Sequence, residues 1–378
     1  MNTPARKPDA SGIPISAWRP TGFDPLGHEI PLITQADAAP ILPDLDLWDS
    51  WPLTTPGGMT AEIDGRQFWF MLSAPRLPDP GQRHDAARIR LLSRGAEGWR
   101  DHGNAMPDGF SPGSREWAGS AVLEEDGRMV TLYFTAAGRR GEAPSFEQRL
   151  FATRGQLADG TIGDWQVPGE IVQADGIHYV IAREAEGKPG LIKAFRDPAW
   201  FRDPATGEAH ILFTGSAAWS GDDFNGLIGI ATRGADGTWQ LGAPLLEAVG
   251  VNNELERPHV LARGGLYYLF WSTQGRTFAP GTPSGPNGLY GAVAESLAGP
   301  WTPLNGSGLV AANPGAEPTQ GYSWWVTGDG EVWSFIDHWG MEGRSFEDHP
   351  ELLRGQFGGT PAPTFCLRFD GDRVAIAD

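Results

Sequence analysis

Only one cysteine, Cys366, occurs in the 378 residues. That excludes an internal disulfide and any zinc site built from several thiolates. Basic residues are also scarce. There are 29 Lys and Arg against 47 Asp and Glu, a net charge of −18. A protein that grips a phosphate backbone needs a positive surface, so nucleic acid is not an expected partner. No stretch approaches the roughly 18 apolar residues of a membrane-spanning helix, so a membrane is not an expected partner either. The opening MNTPARKPDASGIPISAWRP lacks the apolar run of a secretory signal. Helical periodicity is rare. One short candidate runs from Ile181 to Glu186.

Turn formers and tryptophan are abundant instead. Gly and Pro number 52 and 32, together 84 of 378 residues, against about 12% in an average protein. They form no low-complexity tract, so they point to many turns. Tryptophan occurs 16 times and tyrosine only 6 times. The 40% hydrophobic content suffices for a core. No composition shift marks a boundary after the first residues. Residues 1–20 read as an arm, and 21–378 as one all-β domain.

An irregular repeat organises that domain. Five times a Gly turn introduces an aromatic-rich strand: GRQFWFMLSA from Gly65, GRMVTLYFTA from Gly127, GEAHILFTG from Gly207, GLYYLFWS from Gly265 and GEVWSFIDH from Gly330. The intervals of 62, 80, 58 and 65 residues fit four strands plus loops. The expected fold is a single-domain, five-bladed β-propeller. Five unrelated hairpins in a sandwich would give similar strands without the matched spacing.

A polar-aromatic motif precedes each Gly turn: WDSWP at Trp48, EWAGS at Glu116, FRDPA at Phe195, LERPH at Leu255 and YSWWV at Tyr322. If each motif opens the innermost strand of a blade, all five converge on one axial pocket. Three of them carry acids, Asp49, Asp197 and Glu256. Acids among Trp residues in a channel acquire shifted pKa values. Cleaving a glycosidic bond takes two carboxyl groups, and Trp faces suit the C–H faces of sugars. Taken singly, each acid could equally be a turn cap or half of a surface ion pair. Their matched places in the repeats favour carbohydrate chemistry.

Other signals read as structural. Asp44, Asp46 and Asp49 have a calcium-like spacing without the Gly and Glu of an EF-hand loop, so a solvated loop is expected. His259 and His338 lack a second His at ligand spacing. The second Arg202-Asp203-Pro204 reads as an exposed loop, and Cys366 as a small buried residue.

The motifs WDSWP, EWAGSA, FRDP, ELERPHV and FGGTPAPT, in that order, resemble glycoside hydrolase family 68, the levansucrases, inulosucrases and bacterial β-fructofuranosidases. The resemblance spans residue 48 to the C-terminus. It implies a five-bladed propeller with a funnel-shaped axial pocket. It also implies Asp49 as nucleophile, Asp197 as transition-state stabiliser and Glu256 as general acid/base. Trp48, Trp117, Arg196, Glu254, Gln274 and Tyr322 fall on positions that line the sugar site. Glu254 is expected to raise its neighbour Glu256 by like-charge repulsion.

The implied activity is retaining transfer of fructose from sucrose to fructan or sugar acceptors, or to water. A mainly hydrolytic invertase with short oligosaccharide by-products, and a non-catalytic sugar-binding propeller, are the alternatives. No metal or organic cofactor is implied. The expected location is extracellular or periplasmic, where sucrose is met.

Three residues depart from the family pattern. Ala118 replaces a Ser that hydrogen-bonds the nucleophile in many relatives, a role that could pass to Ser120, to a water, or to nothing. Gln274 stands where many levansucrases have Arg or His, which disfavours long levan. Asn253 replaces an Asp of calcium-binding relatives, which disfavours a structural calcium.

Overall fold

The computed structural model describes residues 15–182, 188–346 and 348–377. Its strands form five consecutive antiparallel units around a common axis. The inner strands are Leu45–Thr54, Arg115–Leu123, Phe195–Arg202, Glu256–Arg263 and Gly321–Val326. Each contains one of the five motifs. The second strands are Arg66–Pro75, Met129–Ala137, Ala209–Ser216, Leu266–Thr273 and Glu331–Ile336. Each follows one of the five Gly turns. Two further positions per blade complete the units. The fold is the expected five-bladed propeller. The sole α-helix among the described residues is Leu352–Gly355. None is long and apolar enough to cross a membrane. Residues 183–186 of the Ile181–Glu186 helix candidate lie outside the described residues.

The second strands are almost wholly buried, as in HILFTGS and VTLYFTAA. Each is covered on both faces by neighbouring blades. This explains their near-continuous apolar runs, where a half-exposed strand would alternate.

Among the described residues no strand is exchanged between the first and last blades, so packing and loop contacts close the ring. Trp69 of blade 1 and Trp333 of blade 5 meet with ring centroids 3.9 Å apart. Asp46, fully buried, accepts two hydrogen bonds from Arg354 at 2.7 and 3.0 Å. The Leu47 N–H donates to the Gly359 carbonyl at 2.8 Å. Gly359 has φ +58°, and a Cβ there would lie 2.5 Å from Asp46 Oδ1. The FGGT motif therefore needs glycine at this seam. Asp46 is not in a solvated loop, as its spacing suggested. Its charge is taken up by an arginine remote in sequence.

The blades begin only at Leu45. The preceding segment is a strap over the outer edges of blades 3, 4 and 5. Ser16–Ala17 pairs in parallel with Leu246–Glu247. Glu29 bridges Ala312, and the Ile33 N–H donates to Gln320 Oε1. The boundary expected at residue 20 thus falls inside this strap, whose residues 15–20 already contact the blades. Trp18 is fully buried, packs on Trp271, Phe278 and Tyr290, and donates from Nε1 to the Ser307 carbonyl at 2.8 Å.

Two further expectations are corrected. Cys366 is exposed. Its strand alternates, and Leu367 takes the inward position. Asp203 is buried and accepts the Tyr267 hydroxyl of blade 4 at 2.5 Å, while Arg202 beside it pairs with Glu125.

Trp18→Ala is expected to destabilise the protein by about 3–5 kcal/mol, measured by denaturant unfolding. A loss below about 1 kcal/mol would mean that the strap adds nothing to the ring.

Candidate active site

Every inner strand carries one extra residue relative to its partner. The pairing slips between Trp48 and Trp51, Trp117 and Gly119, Arg196 and Ala199, Glu256 and His259, and Tyr322 and Trp325. These are β-bulges at one equivalent height, and bulges redirect side chains. In four of them the bulged residue has a left-handed backbone: Asp49 (φ 45°), Asp197 (φ 62°), Arg257 (φ 52°) and Ser323 (φ 62°). Such a conformation costs about 1–3 kcal/mol per residue and persists only where surroundings enforce it.

The motifs therefore superpose in a definite register. Trp48, Trp117, Arg196, Glu256 and Tyr322 occupy one ring of positions. Asp49, Ala118, Asp197, Arg257 and Ser323 occupy the next. All ten line a single axial cavity of about 730 Å³, together with Glu254 and Gln274. The structure thus brings every sequence-predicted site residue into one pocket. The acids are not all equivalent, because Glu256 stands one step before the level of Asp49 and Asp197.

Two buried guanidiniums organise four carboxyl groups. Arg196 donates from Nη2 to Glu254 and, at 2.8 Å, to Glu256, and its Nε lies 3.6 Å from Asp197 Oδ2. Arg257 donates to the Ser50 carbonyl at 2.6 Å and to Ser323 Oγ at 2.7 Å, and its charge acts on Asp49. The Ser323 side chain acts on Asp49 too, pulling its pKa down against burial. Ser120 does not take this part. Its hydroxyl donates to the Pro198 carbonyl and accepts from the Trp200 N–H. Ser323 of blade 5 lines the same cavity as Asp49, where Ala118 of blade 2 offers no hydroxyl.

Burial raises the acids. Desolvation pushes Asp49 up, against the opposing pull of Arg257. Asp197 is pushed up to about 6 by burial, with Arg196 opposing and Glu256 adding to the rise. Burial, reinforced by the charge of Glu256, pushes Glu254 up to about 7. The like-charge effect thus acts on Glu254, the reverse of the expected direction. The Tyr322 hydroxyl donates to Glu256 Oε2, and Gln274 Oε1, in the same cavity, accepts from Arg276 Nε at 2.6 Å.

Hydroxyl groups of the second strands peg one blade to the next bulge. Thr135 accepts the Asp197 N–H at 2.9 Å, Thr214 the Arg257 N–H at 3.2 Å, and Ser272 the Trp324 N–H at 2.9 Å. Thr214 Oγ1 also lies 3.1 Å from Asp197 Oδ2. The sequence reading missed these pegs, and with them Arg257, Ser323 and Arg83. A signal existed: FTA, FTG and FWS place a hydroxyl at matching ends of three aromatic strands. Arg83 lies 5.3 Å over the Trp48 ring.

The two histidines differ. His259 is structural, bonded between the Arg257 carbonyl and the Val326 N–H and stacked on Trp325. His338 lines the axial cavity, with Nδ1 3.0 Å from Asp337. Among the described residues no group of three or more His, Cys, Asp or Glu could hold a metal ion. Asn253 is fully buried, and its amide donates to the carbonyls of Ile192 and Asp223 at 3.1 and 3.0 Å. Lys193 Nζ donates to the same Asp223 oxygen at 2.8 Å.

A raised carboxyl group favours the fold when protonated. For Asp197 that contribution is complete below its ordinary value of 3.8 and is lost as pH rises to about 6. Asp197→Asn removes the buried charge. The variant should be more stable than the parent by on the order of 3 kcal/mol at pH 8 and nearly equal to it at pH 4. An identical difference at both pH values, by denaturant unfolding, would contradict the assignment.

The levansucrase/invertase family profile matches residues 24–225 and 217–378. A levansucrase from Pseudomonas savastanoi pv. glycinea is 33% identical over 92% of this chain and 91% of its own. A levansucrase from Zymomonas mobilis subsp. mobilis is 34% identical over 88% and 82%. A solved inulosucrase from Halalkalicoccus jeotgali bound to kestose superposes with a TM-score of 0.85 at 39% identity, covering 96% of this chain and 95% of that one. With the propeller, the axial acids and these matches together, the chain belongs to the levansucrase/invertase family, glycoside hydrolase family 68.

Proposed function

We propose that the protein cleaves sucrose and transfers the fructosyl group, through a covalent enzyme intermediate, to sugar acceptors or water. The observation that carries this reading is the convergence of Asp49, Asp197 and Glu256 on one cavity around two buried arginines. Glu256, on the same Arg196 nitrogen as Glu254, gives a proton to the oxygen leaving with glucose. Asp49 attacks the anomeric carbon of fructose and forms an ester. Arg257 and Ser323 aim its carboxylate. Asp197 favours the positive charge developing on the ring. Glu256, now a base, activates the acceptor, and two inversions give net retention. No step calls for a metal or a cofactor. The reading carries an extracellular or periplasmic location with it, since that is where sucrose is met.

Incubation with sucrose should release glucose in excess of free fructose, the difference being fructose transferred. No glucose release would refute the reading. Asp49→Ala should lower turnover by about 10³-fold or more, and near-normal activity would remove Asp49 from the nucleophile role.

Short products and substantial hydrolysis form a second reading, favoured by Gln274. Its side-chain oxygen is taken up by Arg276, and residue 274 itself offers no charge to an acceptor. Gln274→His or Gln274→Arg should lengthen the products by size-exclusion analysis. An unchanged size distribution would dismiss Gln274 as a determinant.

A further inference from the structure

A second cavity of about 570 Å³ opens between blades 2 and 3 and shares no lining residue with the axial pocket. It lies toward the far ends of the inner strands. Glu124 comes after Trp117 along one, and Trp200 after Asp197 along the other. The volume lies within the range of about 300–1,000 Å³ typical of small-molecule sites.

Its lining is aromatic and charge-balanced. Trp200 and Trp239 are half-buried. Arg202 holds one side of the Trp200 ring at 5.9 Å, and Trp239 meets Tyr133 edge-on at 6.1 Å. Three carboxylates, Glu124, Glu125 and Asp126, face three guanidiniums, Arg154, Arg202 and Arg233. Arg154 pairs with Glu124, and Arg202 with Glu125. The net charge is zero, which disfavours an ionic ligand. Tyr133 is only 4% exposed, and it lines the cavity. Burial also raises Tyr133, so it remains an O–H donor at neutral pH.

We propose that this inter-blade cleft is a secondary binding site for a short neutral oligosaccharide, with Trp200 and Trp239 as ring platforms and the Tyr133 hydroxyl as an anchoring hydrogen bond. Stacking on indole and hydrogen bonding to paired charges at a rim suit a polyhydroxylated, uncharged chain. Resting on the sucrose-cleaving reading, the chain it takes is a fructosyl product of this enzyme. Retention there raises the local concentration of acceptor around the protein.

The test is calorimetric titration of the full chain carrying Asp49→Asn, which prevents turnover, with nystose. With saturating sucrose present to fill the axial pocket, nystose should still bind. Adding Trp239→Ala should abolish this residual binding. Adding Tyr133→Phe, a variant that keeps the ring, should weaken it about 2- to 10-fold. No residual binding, or residual binding unchanged in both variants, would overturn the proposal. Equal binding of maltotetraose would overturn the fructosyl assignment. Residual binding that both variants weaken, with no sucrose competition anywhere, would support the cleft while contradicting the axial reading.

Discussion

An antiparallel strand with one residue too many must bend and turn a side chain out of its alternation. Here this happens at the same height in five inner strands. Without the bulges, Asp49 and Asp197 would follow the ordinary pleat. With them, the two acids, together with Arg257 and Ser323, line the axial cavity. The left-handed backbone at those four residues is costly in isolation. Hydroxyls from the adjoining second strands hold three of the bulges by bonding their N–H groups. The site is therefore an assembly of all five blades, and no single blade could form it.

That assembly sets the charge balance. Asp49, Asp197, Glu254 and Glu256 crowd around Arg196 and Arg257. Four carboxylates beside two buried guanidiniums cannot all ionise cheaply. The surplus appears as protons retained at higher pH, with Asp197 near 6 and Glu254 near 7. Glu254 and Glu256 share one arginine nitrogen. The raised Glu254 thus sits beside Glu256, the acid of the proposed mechanism. In the proposed mechanism, acid/base chemistry and electrostatic stabilisation draw on the same crowding.

Much of this was legible in the sequence because the blades repeat. Gly turns and aromatic strands recur at matched spacing, and the motifs before them mark the inner strands. The bulge itself was not legible, since it exists only in the pairing of one strand with another. For that reason Arg257 passed as a mere neighbour of Glu256, and Ser323 went unnoticed. Asp46 and Asp203 were misread because their partners, Arg354 and Tyr267, lie 308 and 64 positions away. Cys366 was misread by a single step of the strand alternation, which is enough to exchange core for solvent.

The central claim is that Asp49 bonds covalently to fructose. Acid quenching during steady-state turnover of sucrose, followed by proteolysis and peptide mass spectrometry, addresses it directly. The account predicts one fructosyl group on the peptide bearing Asp49 and none on those bearing Asp197 or Glu256. Glucose release with the adduct on another carboxyl group, or with no adduct at all, would contradict it.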